Sequence, residues 1–116
     1  MIAVFMFALA VAPQTSEPPR IWAQDEVQYT RRPMPDFPMS ARANRGQVYL
    51  ICTATGRGTV SGCQIESETP AGEGFGRAAV QSMRGARISK DQDSPAAGDL
   101  FHAKILFWNG QGDEPL

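Results

Sequence analysis

The last apolar stretch of the chain alternates without a break. In DLFHAKILFW, Phe101, Ala103, Ile105 and Phe107 fall on one side of an extended backbone, and Leu100, His102, Lys104, Leu106 and Trp108 fall on the other. A period of two over this length predicts a β-strand whose odd-numbered face meets the core. A second pattern of this kind lies upstream in GQVYLICTATGRGTVSGCQIES, where two apolar runs flank Arg57-Gly58. Glycine at the second turn position suits a two-residue hairpin, because φ is positive there. A loop of Arg57 and Gly58 sets Cys52 opposite Cys63, Leu50 opposite Ile65 and Val48 opposite Ser67. The other face then pairs Ile51 with Gln64, Tyr49 with Glu66 and Gln47 with Glu68. That register makes one face apolar and the other mostly polar, and a one-residue slip destroys the sorting.

The period changes after the hairpin. Thr69-Pro70-Ala71-Gly72 breaks the strand. In GFGRAAVQSMRG, Phe75, Ala78, Ala79, Ser82 and Met83 stand at i, i+3, i+4, i+7 and i+8, one face of a helix. Glu73 at its start and Arg84 and Arg87 near its end suit the helix dipole, and Gly85 is a stop. A shorter helix, two turns at most, is expected in DFPMSARANRG, with Pro38 in the first helical position, Asp36 near the positive end and Gly46 as its stop. Residues 89–98 read as a polar loop, and the tail after Asn109 as polar and frayed. The order helix, strand, strand, helix, strand predicts an α+β fold of two layers. Its three-stranded, antiparallel-type sheet has the first hairpin strand at the centre and both helices on one face. The crossover through the second helix is right-handed, and the last strand is left as an edge.

Length and charge narrow the picture. A chain of 116 residues makes one small domain, and a net charge of −1 with no basic patch among aromatics points away from nucleic acid. Residues 1–12, MIAVFMFALAVA, are apolar and uncharged, but shorter than the roughly 20 residues of a membrane span. They match the apolar region of a secretory signal, with Ala8-Leu9-Ala10 as a small-residue cleavage pattern. A truncated membrane anchor is the other reading. Residues 13–30 read as a proline-bearing linker with Ile21-Trp22 as an anchoring spot, 31–109 as the domain and 110–116 as the tail. Export would put Cys52 and Cys63 in an oxidising compartment and favour a disulfide between them. In a two-residue hairpin the pair falls at a hydrogen-bonded position, where the Cβ atoms are farther apart.

Catalysis finds little support. His102 is the lone histidine and has no serine or cysteine partner nearby in sequence, so it reads as a polar residue on the less buried face. One histidine and two linked cysteines make no metal site. The carboxylates scatter through loops and turns, and the glycines of residues 72–76 lack the lysine of a phosphate cradle. No catalytic residue, metal or cofactor is expected. The cysteine pair, the free sheet edge and an apolar pair on the open face, Tyr49 and Ile51, remain. An edge of that kind can accept a peptide as a further strand.

Taken in order, several short motifs resemble the TonB C-terminal domain. They are Phe37, Pro38 and Ala41 in FP-x-x-A, Gly46-x-Val48, a hairpin with Gly58 in its turn, GFG-x-AA from Gly74 to Ala79, and the final alternating strand. The likeness is to a periplasmic variety with two cysteines in its hairpin. Trp22 and the run Arg31 to Pro33 match its lead-in, and the resemblance spans residues 22–108. It implies a non-catalytic, energy-transducer TonB-like protein of the periplasm, exported or anchored in the cytoplasmic membrane. Its last strand would pair with the TonB-box peptide of an outer-membrane TonB-dependent receptor during transport. An anchored form would also couple to a proton-driven motor complex. The partner-binding candidates are then Phe37, Pro38, Phe101, Ala103 and Ile105, with a second copy of the chain as a further candidate partner. The alternative is a structural, envelope-associated module that keeps the fold without binding receptors.

Overall fold

The computed structural model describes Ala3 and residues 18–115. The expected signal or anchor over residues 1–12, Ala3 apart, and the start of the linker therefore lie outside the described residues. The described chain is α+β. Its strands are β1 (Ile21–Trp22), β2 (Tyr29–Arg31), β3 (Arg45–Ala54), β4 (Val60–Thr69), β5 (Arg87–Ile88) and β6 (Leu100–Trp108). One α-helix, α1 (Phe75–Met83), and a single 3₁₀ turn, Gln24–Glu26, complete the set. The main sheet has the order β1-β6-β3-β4, and β2 pairs with β5 in a second, two-stranded sheet. β3 lies between β6 and β4, as the order of elements predicts, and runs antiparallel to both.

Two expectations of the sequence are corrected here. The sheet has four strands and not three, because Ile21 and Trp22 pair in parallel with Leu100 and Phe101. The stretch read as linker thus contributes structure from residue 21 onward. The second correction is that α1 is the one α-helix among the described residues. Pro38 to Ala41 form a turn, with the Ala41 N–H donating to the Pro38 carbonyl at 3.2 Å. The next two N–H groups, of Arg42 and Ala43, donate to Glu73 Oε1 at 2.6 and 3.0 Å instead of to helical carbonyls. A carboxylate from the far side of the sequence has taken the donors that a helix would need.

The core lies between the sheet and α1. The odd-numbered face of β6 is buried throughout, with Phe101, Ala103, Ile105 and Phe107 each at most 4% exposed. Val48, Leu50, Cys52 and Ala54 of β3 and Phe75, Ala79 and Met83 of α1 close on it. Fully burying one such large side chain contributes about 1.5–3 kcal/mol. The helix starts after Gly74, whose φ is +88°, and Glu68 from β4 accepts the Gly76 N–H at 2.8 Å. A carboxylate there satisfies one of the helix's unpaired donors and suits its positive end. Gly46, expected as a helix stop, lies in β3 and lets the Phe75 ring come close: a Cβ there would stand 2.7 Å from the ring.

The hairpin keeps the expected register only in its middle, where Leu50 faces Ile65 and Ile51 faces Gln64. Its loop is Thr55–Thr59, five residues, closed by a 2.6 Å hydroxyl contact between the two threonines. The Ile88 N–H donates to the Gly58 carbonyl at 2.8 Å, so the loop is shaped by a strand the hairpin does not contain. Bulges then shift the register at both ends: Thr53 faces Ser61, and Val48 faces Glu68 instead of Ser67. The longer loop also changes the setting of the cysteines. The Ala54 N–H donates to the Asp99 carbonyl and its carbonyl accepts from Gly98, so even-numbered residues of β3 turn their backbone groups towards β6. Cys52 therefore meets β4 at a non-hydrogen-bonded position, where strands lie closer. Its Cα is 4.0 Å from that of Cys63, and the two form the disulfide. The tail folds back where fraying was expected: Trp108 Nε1 donates to the Gln111 carbonyl at 3.1 Å, and Arg45 reaches the Asp113 carbonyl.

Candidate functional site

β6 is not the edge strand that the sequence predicts, because β1 covers Leu100 and Phe101, and its outer side is open only beyond them. Along a strand, successive residues present their backbone groups to alternate sides. The Leu100 N–H donates outward, to the Arg20 carbonyl at 2.9 Å. His102, Lys104, Leu106 and Trp108 share its parity and turn their N–H and C=O groups to the same side. Beyond Phe101, no strand among the described residues pairs with that side.

A groove of about 750 Å³ runs along it, with residues 103–106 as one wall. The other wall comes from the 3₁₀ turn and the strap after it, including Asp25, Tyr29, Arg32, Pro33 and Pro35. Pro33 and Pro35 lack an N–H, so the strap is short of the donors it would need to close on β6 as a strand. Burial pushes the Tyr29 hydroxyl above its ordinary pKa. At pH 7 the groove therefore holds a neutral phenol together with the charges of Asp25, Arg32 and Lys104.

A clasp fixes the head of this edge. Asp99 accepts the Arg20 N–H at 3.2 Å, the Trp22 indole N–H at 3.1 Å and the Ala96 N–H at 2.9 Å. The Arg20 guanidinium carbon stacks 3.7 Å above the Trp22 ring, and its nitrogen pairs with Glu26 at 3.1 Å. Desolvation alone would raise the Asp99 pKa. The three donors and the charge of Arg20 outweigh it and hold the carboxyl below its ordinary value. β1 is thus pinned over the first two residues of β6, and the groove begins where it ends.

The candidate residues fall into two groups. Ala103 and Ile105 line the groove, but their side chains point into the core. Phe101 is paired beside Trp22 of β1, its side chain buried in the core, and is not part of the wall. Phe37 and Pro38 do not border the groove: Phe37 stands edge-on to Phe75 with ring centroids 5.4 Å apart, and Pro38 lies against Gly74. Pro33 and Pro35 hold the place expected for them. The paired prolines and the run Arg31 to Pro33 are the sequence signals that mark the strap, while Tyr29 and Asp99 carry none.

The open face of the sheet bears Tyr49, Leu106 and Trp108, all partly exposed. His102 sits there too, its Nδ1 2.7 Å from Glu66 Oε1. Among the described residues, no group of three His, Cys, Asp or Glu side chains could hold a metal. No described helix is long and apolar enough to cross a membrane. Compared with known proteins, the chain matches no protein-family model and no curated sequence.

Proposed function

We propose that the chain is a non-catalytic binding domain of TonB C-terminal type, which adds an extended peptide to the outer edge of β6. The peptide would be the TonB box of an outer-membrane receptor, met in the periplasm. The observation that carries the reading is the row of outward backbone groups from His102 to Trp108 beside an open groove. Strand addition draws affinity from such a row and specificity from alternate side chains. The ordered motifs from Phe37 to the last strand give it further support, as does the disulfide, which fits an exported protein.

Parity selects the test. The Lys104 N–H faces the groove, so Lys104→Pro removes a donor without touching the β3 ladder, a position where proline is tolerated. Binding of TonB-box peptides from the same organism's receptors is measured by titration for the native chain, Lys104→Ala and Lys104→Pro. One lost backbone bond, about 0.5–1.5 kcal/mol, predicts roughly two- to tenfold weaker binding for the proline variant, with the alanine variant close to native. No binding by the native chain, or equal affinity in Lys104→Pro and Lys104→Ala, rejects strand addition and leaves the envelope module.

A further inference from the structure

The carboxylates of this protein are committed unevenly. Glu26 pairs with Arg20 and Glu66 with His102. Glu68 and Glu73 hold backbone N–H groups of Gly76, Arg42 and Ala43, and Asp99 holds the β1 clasp. Among the described residues, Arg20 is the one arginine in an ion pair with a carboxylate, and of the others Arg31, Arg32, Arg84 and Arg87 are grouped together. These four exposed arginines share one region. Arg31 and Arg87 face each other across the β2–β5 pair. Arg84 follows the last turn of α1, and Arg87 Nη1 donates to the Arg84 carbonyl at 3.4 Å and to the Ala86 carbonyl at 2.8 Å. A cavity of about 170 Å³ opens here, lined by Arg31, Arg32, Met34, Gln81, Ser82 and Gly85.

The helix end accounts for part of this charge. Its partial negative charge, about half a unit, suits one nearby cation. Arg31 and Arg32 have no such partner, and like charges directly opposite on neighbouring strands destabilise a sheet. The region therefore carries a cationic surplus.

The size and lining of the cavity narrow what would neutralise it. A volume of 170 Å³ is below the roughly 300–1,000 Å³ of small-molecule sites, so the cavity admits a side chain and not a whole ligand. Guanidinium forks match carboxylates with two parallel hydrogen bonds. The four guanidiniums belong to β2, β5, the end of α1 and the strap, which suits several acids spaced along a chain better than one compact anion. Met34, 73% exposed at the rim, offers an apolar contact to a peptide.

The geometry points to an arginine cup, formed by Arg31 and Arg32 with Arg84 and Arg87 beside them, that binds the acidic side chains of a partner polypeptide. The cup does not depend on strand addition at β6. Arg32 lines both cavities, so an acidic segment continuing from the groove would meet the cup next.

The test is a titration of the isotope-labelled chain with a blocked hexaglutamate peptide, followed by amide chemical shifts, with inorganic phosphate as a second ligand. Shifts are expected at residues 31–34 and 81–87, with affinity that falls as salt rises. Arg31→Gln with Arg32→Gln should weaken binding roughly tenfold or more, and the two single variants give the same reading if the double variant fails to fold. Arg57→Gln, an exposed arginine of the hairpin loop that lines neither cavity, should leave it unchanged, and shifts at residues 103–106 report the β6 groove separately, so the cup and the groove succeed or fail separately. The proposal is overturned by an absence of shifts, by shifts confined to other regions, by arginine variants that bind as the native chain does, or by phosphate binding the cup as tightly as the peptide.

Discussion

Gly46→Ala should unsettle the core far more than its single methyl implies. A Cβ at that position would lie 2.7 Å from Cδ1 and Cγ of Phe75 and 2.8 Å from Cδ2. Carbon atoms rest at about 3.5–4.0 Å, so the ring must retreat by on the order of 1 Å. It has little room to do so. Phe75 is fully buried, edge-on to Phe37 and tilted against Phe107 with centroids 5.0 Å apart. Overpacking of a close-packed interior costs about 1–3 kcal/mol, and alanine recovers about 0.5–1 kcal/mol of the conformational entropy that glycine loses in a strand. The net loss is about 1–2 kcal/mol, or roughly 5–15 °C in Tm for a domain of this size. Gly76→Ala is the matched control. Its Cβ would meet Ile65 Cδ1 at 2.7 Å, the tip of a side chain that is 45% exposed and can swing aside, and Glu68 Oε2 at 2.9 Å, which can give way only by weakening its bond to the Gly76 N–H. Alanine is worth up to about 1 kcal/mol over glycine in a helix, which offsets a weakened hydrogen bond of about 0.5–1.5 kcal/mol, so this variant should lose less than Gly46→Ala. Urea unfolding followed by circular dichroism would measure both, together with Phe75→Leu and the Gly46→Ala/Phe75→Leu double variant. The double variant should lose less than the sum of its parts by at least about 0.5 kcal/mol. Equal losses for the two glycine variants, or strict additivity with Phe75→Leu, would refute the steric argument.

The Cys52–Cys63 bond should appear in mass spectra of unreduced protein as the absence of free thiols, and replacing both cysteines by serine should cost about 2–3 kcal/mol for so short a loop. Asp99 should shape the acid limb of stability. Because its folded pKa is lowered, its contribution is complete above the ordinary carboxylate value near 4 and is lost as pH falls through the lower folded value. Asp99→Asn should therefore flatten the loss of stability below about pH 4 and raise Trp22 fluorescence mobility, and an unchanged acid limb would count against the clasp.

What the sequence made legible were the elements with a period. The alternation of β6 and the spacing of Phe75, Ala79 and Met83 mark two faces of the core, and the centre of the hairpin register puts the two sulfurs together. The elements without a period escaped. β1 and β5 are two residues long and β2 three, too short to repeat anything. Each exists because a distant segment satisfies it, as when the Ser89 N–H finds the Gln28 carbonyl at 2.8 Å. The false helix at Pro38 had good local signals and lost its donors to Glu73. The candidate groove was half legible: the β6 wall followed from strand order, but the strap opposite is a tertiary arrangement. The aromatic–proline pair at Phe37-Pro38 turned out to brace Phe75 instead.

β4 presents ten residues as the far edge of the main sheet, most of them exposed, a form that invites strand exchange between copies. To trade β4 with a neighbour, the hairpin would have to open at Thr55–Thr59 and send the strand across to another β3. The 52–63 bond joins β4 to its own β3 on the near side of that hinge. Exchange of β4 is then forbidden by connectivity and not merely disfavoured by energy, so the oxidised chain cannot join a second copy by that route. Reduction would restore the forbidden route, and the thiol state would become a control on how copies of the chain associate.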